Sequence, residues 1–242
     1  MALLRIDKFL ADAGVGTRSA VKELIKKGQV FVNGTAAKRP DIKINPEADN
    51  VICGGKLIQA QTFVYYVLNK PASYVSAVKD NTAPTVMSLI NSSRPGLFPV
   101  GRLDKDTEGL LLITNDGMLS HRLLSPKHHV DKTYYAIVEG HVDEQDIRLF
   151  EEGLFIGDDD LNTALPARLS IAESYNNAQN LSYVHVTIQE GKFHQVKRMF
   201  QAVGKRVIYL KRTAFGGLLL PDDLPTGEYR ELTDAELASL KE

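Results

Sequence analysis

The chain has 242 residues, with 29 Lys and Arg against 30 Asp and Glu, and 43% of its residues are hydrophobic. This length is sufficient for a buried core and indicates one or two domains. The ordinary hydrophobic and charged fractions argue against a disordered chain. No apolar run approaches the ~18 residues of a membrane span, so no membrane partner is expected.

The N-terminal segment and the single cysteine narrow the class of protein further. Charged residues interrupt the first nine positions, so we expect no signal peptide. Cys53 alone cannot form an internal disulfide, and no Cys/His spacing is typical of a zinc site. The sequence therefore predicts a cytoplasmic protein without a structural metal. No pattern indicates an oligomer, and we expect a monomer.

The charges are distributed unevenly along the chain. Residues 1–45 carry nine basic and four acidic residues, whereas the remainder carries 20 basic and 26 acidic residues. A second basic block, residues 192–212, has seven Lys and Arg and no acid. Such asymmetry is typical of surfaces that face a polyanion. A basic segment is also commonly just a solvated face, so charge alone does not establish nucleic-acid binding.

Two short helices and a hairpin are predicted at the start of the chain. Each helix has apolar residues at helical spacing and a glycine where it should end, and the second starts after a threonine N-cap. These positions are Ile6, Phe9, Leu10, Ala13 and Gly14, then Thr17, Val21, Leu24, Ile25 and Gly28. Residues 29–32 are predicted as a strand that ends in a tight turn at Asn33-Gly34.

The second helix carries a basic ridge, because Arg18, Lys22 and Lys26 are four residues apart. This pitch suits contacts with successive phosphates, and a charged, exposed helix face is an equal alternative. The run RIDKFLADAGVGTRSAVKELIKKGQVFVNG resembles the small S4-like RNA-binding domain, first described in small-subunit ribosomal protein four. The resemblance covers roughly residues 4–50 and implies binding rather than catalysis. The RNA contacts that it implies are Arg5, Lys8, Arg18, Lys22 and Lys26.

The segment 101–117 carries three carboxylates at alternate positions, which are Asp104, Asp106 and Glu108. The spacing matches the start of an EF-hand loop, but Asn115 stands where a bidentate Glu is needed, so calcium is not expected. A glycosidase-like acid and base is a second interpretation, although groups so close on one turn would struggle to flank a substrate. A solvated turn with salt bridges is the third. Residues 110–113 are predicted as a strand, with a turn at residues 115–117.

Two further segments combine regular periodicity with polar residues. In the strand predicted at residues 130–138, one face carries Lys132, Tyr134 and Ala136; a tyrosine in a strand most often serves packing. The helix predicted after Gly191 has the buried stripe Phe193, Val196, Phe200 and Val203 and ends at Gly204. Another face of that helix groups His194, Lys197 and Arg198. Cations at a helix start oppose the helix dipole, and this conflict is a modest functional signal.

Together these segments resemble the pseudouridine synthases, in the branch that acts on small-subunit ribosomal RNA. The likeness is carried by Gly101-Arg-Leu-Asp104 with Thr107, Gly109 and Leu110, by Lys132-Thr-Tyr134, by Glu190-Gly-Lys-Phe-His-Gln-Val-Lys-Arg-Met199, and by Leu68-Asn-Lys-Pro71 with Tyr74. Order and spacing agree along nearly the whole chain. Phe193 and His194 favour the small-subunit branch, because large-subunit relatives tend to have Arg-Asn-Arg-Gln there. Ser73 stands where the family usually has Gly, and it is expected to alter only a turn.

The resemblance implies a site without a cofactor or metal, in which Asp104 is the essential carboxylate. It acts either on the glycosidic carbon or on the 2′ hydrogen of the sugar. A charged carboxylate in a water-poor pocket needs a neighbouring cation, and the motif implies Lys197 for this, with Arg198 second. Tyr134 would stack on the uracil and help to remove the proton from carbon 5, with Ile188 packed under the base.

A uridine in folded RNA must also be extruded from its stack. The resemblance implies that Arg102 braces the vacated position and that Lys105 and Arg198 hold flanking phosphates. The remaining RNA contacts that it implies are Lys70, His194 and Gln195.

The predicted fold is α+β. A helical and hairpin S4-like RNA-binding domain at residues 1–60 precedes a synthase domain at residues 62–242, built on a mixed, mostly antiparallel sheet with helices against it. A capping box, Thr233-x-x-Glu236, predicts a final helix.

The expected reaction is site-specific isomerisation of a uridine in small-subunit (16S) ribosomal RNA, in a partly assembled particle. A synthase for large-subunit RNA and a non-catalytic RNA-binding assembly factor are the alternatives. A methyltransferase does not fit, because the chain has no G-x-G-x-x-G loop.

Overall fold

The computed structural model describes residues 3–58, 63–157 and 163–240. The chain divides into two compact units, Met1–Phe63 and Val64–Glu242. The domain boundary expected at residues 60–62 falls outside the described residues.

The first unit packs two helices against small sheets. In chain order its elements are β1 (Leu4–Arg5), α1 (Ile6–Asp12), α2 (Arg18–Lys26), β2 (Val30–Val32), β3 (Thr35–Ala36), β4 (Lys43–Ile44), β5 (Val51–Cys53) and β6 (Lys56–Ile58). β1 pairs with β4, and the other strands form an antiparallel sheet in the order β3-β2-β5-β6. Ile6 and Leu10 of α1 and Val21 and Ile25 of α2 are buried together in one core, so the predicted apolar stripes are confirmed.

The start of α2 and the first hairpin follow from the local sequence. The Thr17 hydroxyl accepts a hydrogen bond from the Ala20 amide at 3.2 Å, as an N-cap should. Asn33 and Gly34 have φ values of 49° and 80°, the left-handed backbone that a two-residue hairpin turn requires. Both predictions are confirmed.

The second unit is built on one large sheet. In chain order its elements are β7 (Tyr65–Lys70), β8 (Phe98–Pro99), β9 (Glu108–Thr114), α3 (Gly117–Leu124), β10 (Lys132–Glu139), α4 (Glu144–Glu152), β11 (Arg168–Asn176), β12 (Leu181–Ile188), α5 (Gln195–Ala202), β13 (Arg206–Phe215), β14 (Leu218–Leu219), β15 (Tyr229–Glu231) and α6 (Asp234–Ser239). Among the described residues, nine strands join this sheet, along the path β11-β12-β10-β13-β9-β7-β15 with β8 beside β9 and β14 beside β13. β13 and β9 are parallel and the other described pairs are antiparallel. The predicted mixed, mostly antiparallel sheet is confirmed.

Helices cover both faces of this sheet. Successive residues of a strand point to opposite faces, and in β9 both sets are apolar and buried. Leu111 of β9 belongs to a core that contains Phe150 of α4 and Phe200 of α5, whose rings lie 4.9 Å apart. Leu112 belongs instead to the core that contains Leu119 of α3. β9 is therefore packed against helices on both faces of the sheet.

Two predictions miss the start of a helix. The turn predicted at residues 115–117 is instead the start of α3, where the Asp116 side chain accepts hydrogen bonds from the Met118 and Leu119 amides. The helix expected after Gly191 starts only at Gln195. Phe193, expected in its buried stripe, precedes the helix and is 75% exposed.

Other predictions for this unit hold. β10 alternates between buried and half-buried residues, with Lys132, Tyr134 and Ala136 on its buried face. The capping box of α6 is formed by Thr233 and Glu236. No helix within residues 3–58, 63–157 and 163–240 is long and apolar enough to cross a membrane.

Candidate active site

The loop that carries Asp104, between β8 and β9, is fixed by hydrogen bonds to the segment after β7. The Ser76 hydroxyl accepts from the Leu103 amide at 3.0 Å and donates to the Leu103 carbonyl at 3.1 Å. The Ser73 amide donates to the Lys105 carbonyl at 2.7 Å. The residues on either side of Asp104 are therefore both tied to one neighbouring segment.

Lys70, the last residue of β7, supports the same loop from inside the protein. Its side chain is fully buried, and its ammonium donates to the carbonyls of Thr107 at 2.7 Å, Pro71 at 3.0 Å and Lys105 at 3.3 Å. Burial lowers the pKa of Lys70 to about 8. The prediction that Lys70 contacts RNA is wrong, because its side chain does not reach the surface. Lys70 instead anchors the loop of Asp104.

Two backbone positions beside this loop have glycine-like geometry. Ser73 has a φ of 73°, in the left-handed region, so the usual glycine at this position is explained by its backbone conformation. Gly109 has a φ of 96°, and a Cβ atom there would lie 2.3 Å from the Arg212 carbonyl oxygen. β9 and β13 therefore approach each other closely where the Asp104 loop joins the sheet.

Lys197 of α5 lies between two carboxylates of the loop. Its ammonium is 3.3 Å from Asp104 Oδ2 and 2.6 Å from Asp106 Oδ1. The Asp104 and Lys197 side chains are each about one quarter exposed, whereas that of Asp106 is mostly exposed. Burial is the largest single influence on Asp106 and raises its pKa, but the hydrogen bond and the charge of Lys197, with smaller contributions from a backbone amide and His194, together bring the pKa below its ordinary value. One cation thus pairs with two carboxylates of the loop.

The turn before α5 brings His194 to the same place. His194 Nε2 lies 3.7 Å from Asp104 Oδ1. The neighbouring Gln195 is buried, with its amide group donating to Glu190 Oε1 at 2.8 Å and accepting from the Lys192 amide at 2.9 Å. The prediction that Gln195 contacts RNA is not supported, because its side chain is buried and bonded within the turn. Its role in the structure is to hold that turn.

One pocket unites most of the site residues that the sequence predicts in the second unit. Its walls include Arg102, Asp104, Tyr134, Ile188, His194 and Lys197. Tyr134 of β10 and Ile188 of β12 line the pocket and are only 8% and 3% exposed. The lining combines charged groups with an aromatic and a branched apolar side chain, which suits a planar, polar ring.

Two buried cations lie beside Tyr134. Arg212 of β13 is its cross-strand partner, is 2% exposed, and is hydrogen-bonded to the Tyr134 side chain. Burial lowers the pKa of Arg212, and its Nη2 atom has no hydrogen-bond partner among the described residues. Burial lowers the pKa of Lys132 to about 8, and the positive charge of Arg212 is the second-largest cause. The phenol of Tyr134 thus lies against buried positive charge.

Two of the predicted cations lie at the edge of the pocket or outside it. Lys105 is exposed and lines a second groove with Asp104 and Lys197. Arg198 points into a separate depression that Phe155 lines, and its guanidinium donates to the Phe193 carbonyl at 3.3 Å. The structure therefore brings Lys197, rather than Arg198, to Asp104. No group of three or more His, Cys, Asp or Glu side chains that could bind a metal occurs in the described part of the chain.

Comparison with known proteins identifies the family. The model of the RNA pseudouridylate synthases matches residues 64–202. The chain belongs to this family. The model of the S4 domain matches residues 4–50.

Several relatives of this synthase match along its whole length. The uncharacterized RNA pseudouridine synthase YtzG of Bacillus subtilis is 43% identical over 99% of both chains. The ribosomal small subunit pseudouridine synthase A of Escherichia coli K12 is 38% identical over 98% of this chain and 100% of its own. A crystal structure of a pseudouridylate synthase covers 98% of this chain and 99% of its own, with a TM-score of 0.69 and 36% identity.

The S4 domain of the synthase presents the predicted basic ridge to solvent. Arg18, Lys22 and Lys26 of α2 are all exposed. Arg5 differs, because its guanidinium forms two hydrogen bonds, at 3.0 and 2.8 Å, with the buried carboxylate of Asp7. Arg5 is half exposed, but its charge is already neutralised within the domain.

Two residues of the synthase site were not assigned from the sequence. Asp106 was noted only for its spacing, although it forms the shorter ion pair with Lys197. The basic block at residues 192–212 predicts Arg212 at the surface, whereas the structure buries it. The sequence contains one signal for this burial: Arg212 is two residues after Leu210 in a strand, so both lie on the same, buried face of β13.

Proposed function

We propose that this synthase isomerises one specific uridine of small-subunit (16S) ribosomal RNA, with Asp104 as the essential carboxylate. The observation that carries the proposal is the placement of Asp104 in the wall of the pocket, 3.3 Å from Lys197, in a lining that also includes Tyr134 and Ile188. A carboxylate paired with a cation, in a pocket that also contains an aromatic and a branched apolar side chain, is suited to act on a sugar whose base enters the pocket.

The reaction breaks the bond between N1 of uracil and C1′ of the ribose, turns the base, and joins C1′ to C5. Asp104 acts on the sugar, either by attacking C1′ or by removing the 2′ hydrogen. Lys197 pairs with Asp104 in both cases. After the new bond forms, C5 loses its proton to a base, and Tyr134, which stacks on the uracil, assists directly or through water. Ile188 packs on the other side of the ring.

The uridine reaches this pocket by extrusion from its stack, at a cost of a few kcal/mol. Arg102 at the pocket wall braces the vacated position, and Lys105 and Arg198 contact flanking phosphates. In the S4 domain, Lys8 and the basic ridge (Arg18, Lys22 and Lys26) bind further phosphates, which strengthens binding without reading sequence. Arg5 contributes less, because Asp7 neutralises it.

Two observations support the small-subunit substrate. The relatives from Escherichia coli, Yersinia pestis and Haemophilus influenzae, at 37–40% identity over 98% of this chain, carry the name ribosomal small subunit pseudouridine synthase A. The Phe193-His194 sequence at the pocket is the one expected for that branch. We further propose that the enzyme acts as a monomer in the cytoplasm, on a partly assembled subunit.

Release of tritium from rRNA labelled at C5 of uracil tests the substrate. Free small-subunit rRNA, the same rRNA with early-binding ribosomal proteins, and large-subunit rRNA are compared with the wild-type enzyme. We expect release from small-subunit substrates, and more with the bound proteins. Release from large-subunit rRNA alone would reassign the substrate and keep the chemistry. Tight binding of small-subunit rRNA without any release would favour the assembly-factor alternative.

A further inference from the structure

The turn that leads into α5 is rigid and strained. The Gln195 amide donates to the Lys192 carbonyl at 3.1 Å, and the Gln195 side chain accepts from the Lys192 amide at 2.9 Å. His194, at the third position of the turn, has a φ of 50°, a region that non-glycine residues seldom occupy. Such strain persists where the surroundings impose it, and it is concentrated at functional sites.

This turn displays an aromatic ring to solvent. Phe193 is 75% exposed, the highest value among the large hydrophobic side chains of the described residues. Its ring stacks on that of His194, with centroids 3.8 Å apart and planes within 19°. The Phe193 carbonyl accepts a hydrogen bond from Arg198. One face of the ring thus rests on His194, while three quarters of the residue remains exposed.

The position of the ring connects it to the catalytic pocket. His194 touches both Phe193 and, through Nε2 at 3.7 Å, Asp104. Arg198, whose guanidinium donates to the Phe193 carbonyl, supplies a positive charge beside the ring, whereas Lys197 is paired with Asp104 and Asp106. An exposed aromatic ring beside an arginine is an arrangement by which proteins stack unpaired nucleobases.

We propose that Phe193 is a stacking platform for an unpaired nucleobase of the RNA, next to the uridine that enters the pocket. The inference rests on the proposed reaction at Asp104 and adds a substrate contact to it. The base extends the stack of Phe193 on His194 and replaces part of the stacking that the RNA loses when the uridine is extruded. Because the ring is ordered before binding, little side-chain entropy is lost on contact.

The absence of tryptophan from the chain provides a direct test of contact. Phe193→Trp introduces a single tryptophan at the platform, and it is combined with Asp104→Asn so that no turnover occurs. Leu219→Trp, in the same background, is the matched control, because Leu219 is 68% exposed and lies on β14 away from the pocket residues. Small-subunit rRNA with early-binding ribosomal proteins should quench the fluorescence of the Phe193→Trp variant and leave that of the control nearly unchanged. Equal quenching of both variants, or no quenching of Phe193→Trp while a filter assay shows binding, would overturn the platform.

Kinetics test whether the contact contributes to catalysis. In the otherwise wild-type enzyme, Phe193→Ala should raise KM by roughly 5- to 150-fold, the range expected for loss of one base–aromatic stack. Phe193→Leu, which keeps the apolar bulk and lacks the ring, should behave like Phe193→Ala, whereas Phe193→Tyr should lose much less. Leu219→Ala serves as the control for removal of an exposed apolar side chain. An unchanged KM in Phe193→Ala would refute the inference. Absence of turnover in the wild type would refute the proposed function instead.

Discussion

Replacement of Lys70 by methionine tests how the catalytic loop is held. Lys70 is fully buried, and its ammonium donates to three carbonyls, of which those of Lys105 and Thr107 belong to the loop of Asp104. Methionine fills a similar volume but donates no hydrogen bond. Lys70→Met therefore leaves the packing nearly intact and removes only the polar attachment of the loop.

The expected loss follows from two opposing contributions. A hydrogen bond to a charged group contributes about 1.5–3 kcal/mol, so three such bonds contribute roughly 4–9 kcal/mol. Burial of the ammonium opposes them: it lowers the pKa of Lys70 from 10.5 to about 8, which corresponds to roughly 3 kcal/mol. We expect Lys70→Met to lower the free energy of unfolding by about 1–6 kcal/mol, the difference between the two contributions. A displacement of Asp104 by about 1 Å would in addition reduce turnover about 100-fold.

Urea denaturation at pH 7 measures the stability of this variant, and tritium release under single-turnover conditions measures its activity. Lys105→Met is the matched control, because the Lys105 side chain is exposed and only its carbonyl accepts from Lys70. The control should keep the wild-type free energy of unfolding. Wild-type stability and turnover in Lys70→Met would refute the assignment of Lys70 as the anchor of the loop.

Three further changes have defined outcomes. The pKa of Lys70 is about 8 in the folded protein against 10.5 ordinarily, so the unfolded chain binds more protons than the folded one between pH 8 and 10.5. Urea titrations across this pH interval should show the free energy of unfolding of the wild type rising, relative to that of Lys70→Met, by up to roughly 3 kcal/mol. A difference that does not change with pH would contradict the lowered pKa of Lys70. Ser73→Gly should raise the free energy of unfolding by about 0.5–1 kcal/mol, and with it the melting temperature, because it removes the strain of a serine with left-handed backbone. A lower melting temperature than that of the wild type in calorimetry would refute this. Gly109→Ala should cost more than about 3 kcal/mol and abolish turnover, because its Cβ would meet the Arg212 carbonyl; a folded, active variant in denaturation and tritium assays would disprove the close approach of β9 and β13.

The elements that could be predicted from the sequence are those whose signals are local. The Thr17 cap, the Asn33-Gly34 turn and the alternation of β10 each depend on residues within a few positions of one another. The Asp116 cap carried the same kind of signal, since an aspartate before a glycine and an apolar segment also suits a helix start. Asn, Asp and Gly also favour turns, and this competing signal predicts a turn at residues 115–117 instead.

Features that depend on distant parts of the chain could not be predicted in this way. Lys70 is buried because loop carbonyls more than thirty positions further along the chain accept its hydrogen bonds. Helical periodicity placed Phe193 in the buried stripe, but the side chain of Gln195 and the left-handed backbone of His194 delay the start of α5. The pairing of Lys197 with Asp104 came from the family resemblance, since no spacing rule relates segments so far apart.

The role of Asp104 is tested most directly by comparing two neighbouring aspartates that share one lysine. Asp104→Asn and Asp106→Asn each remove one carboxylate from Lys197, at 3.3 and 2.6 Å, and both keep the size of the side chain. Pseudouridine formation is measured in a single turnover, with enzyme in excess over small-subunit rRNA carrying early-binding proteins. We predict that Asp104→Asn lowers the rate by at least about 100-fold and that Asp106→Asn, which loses a mostly exposed ion pair, lowers it less than about tenfold. Near-wild-type formation by Asp104→Asn, or an equal loss in both variants, would contradict the assignment of Asp104 as the essential carboxylate.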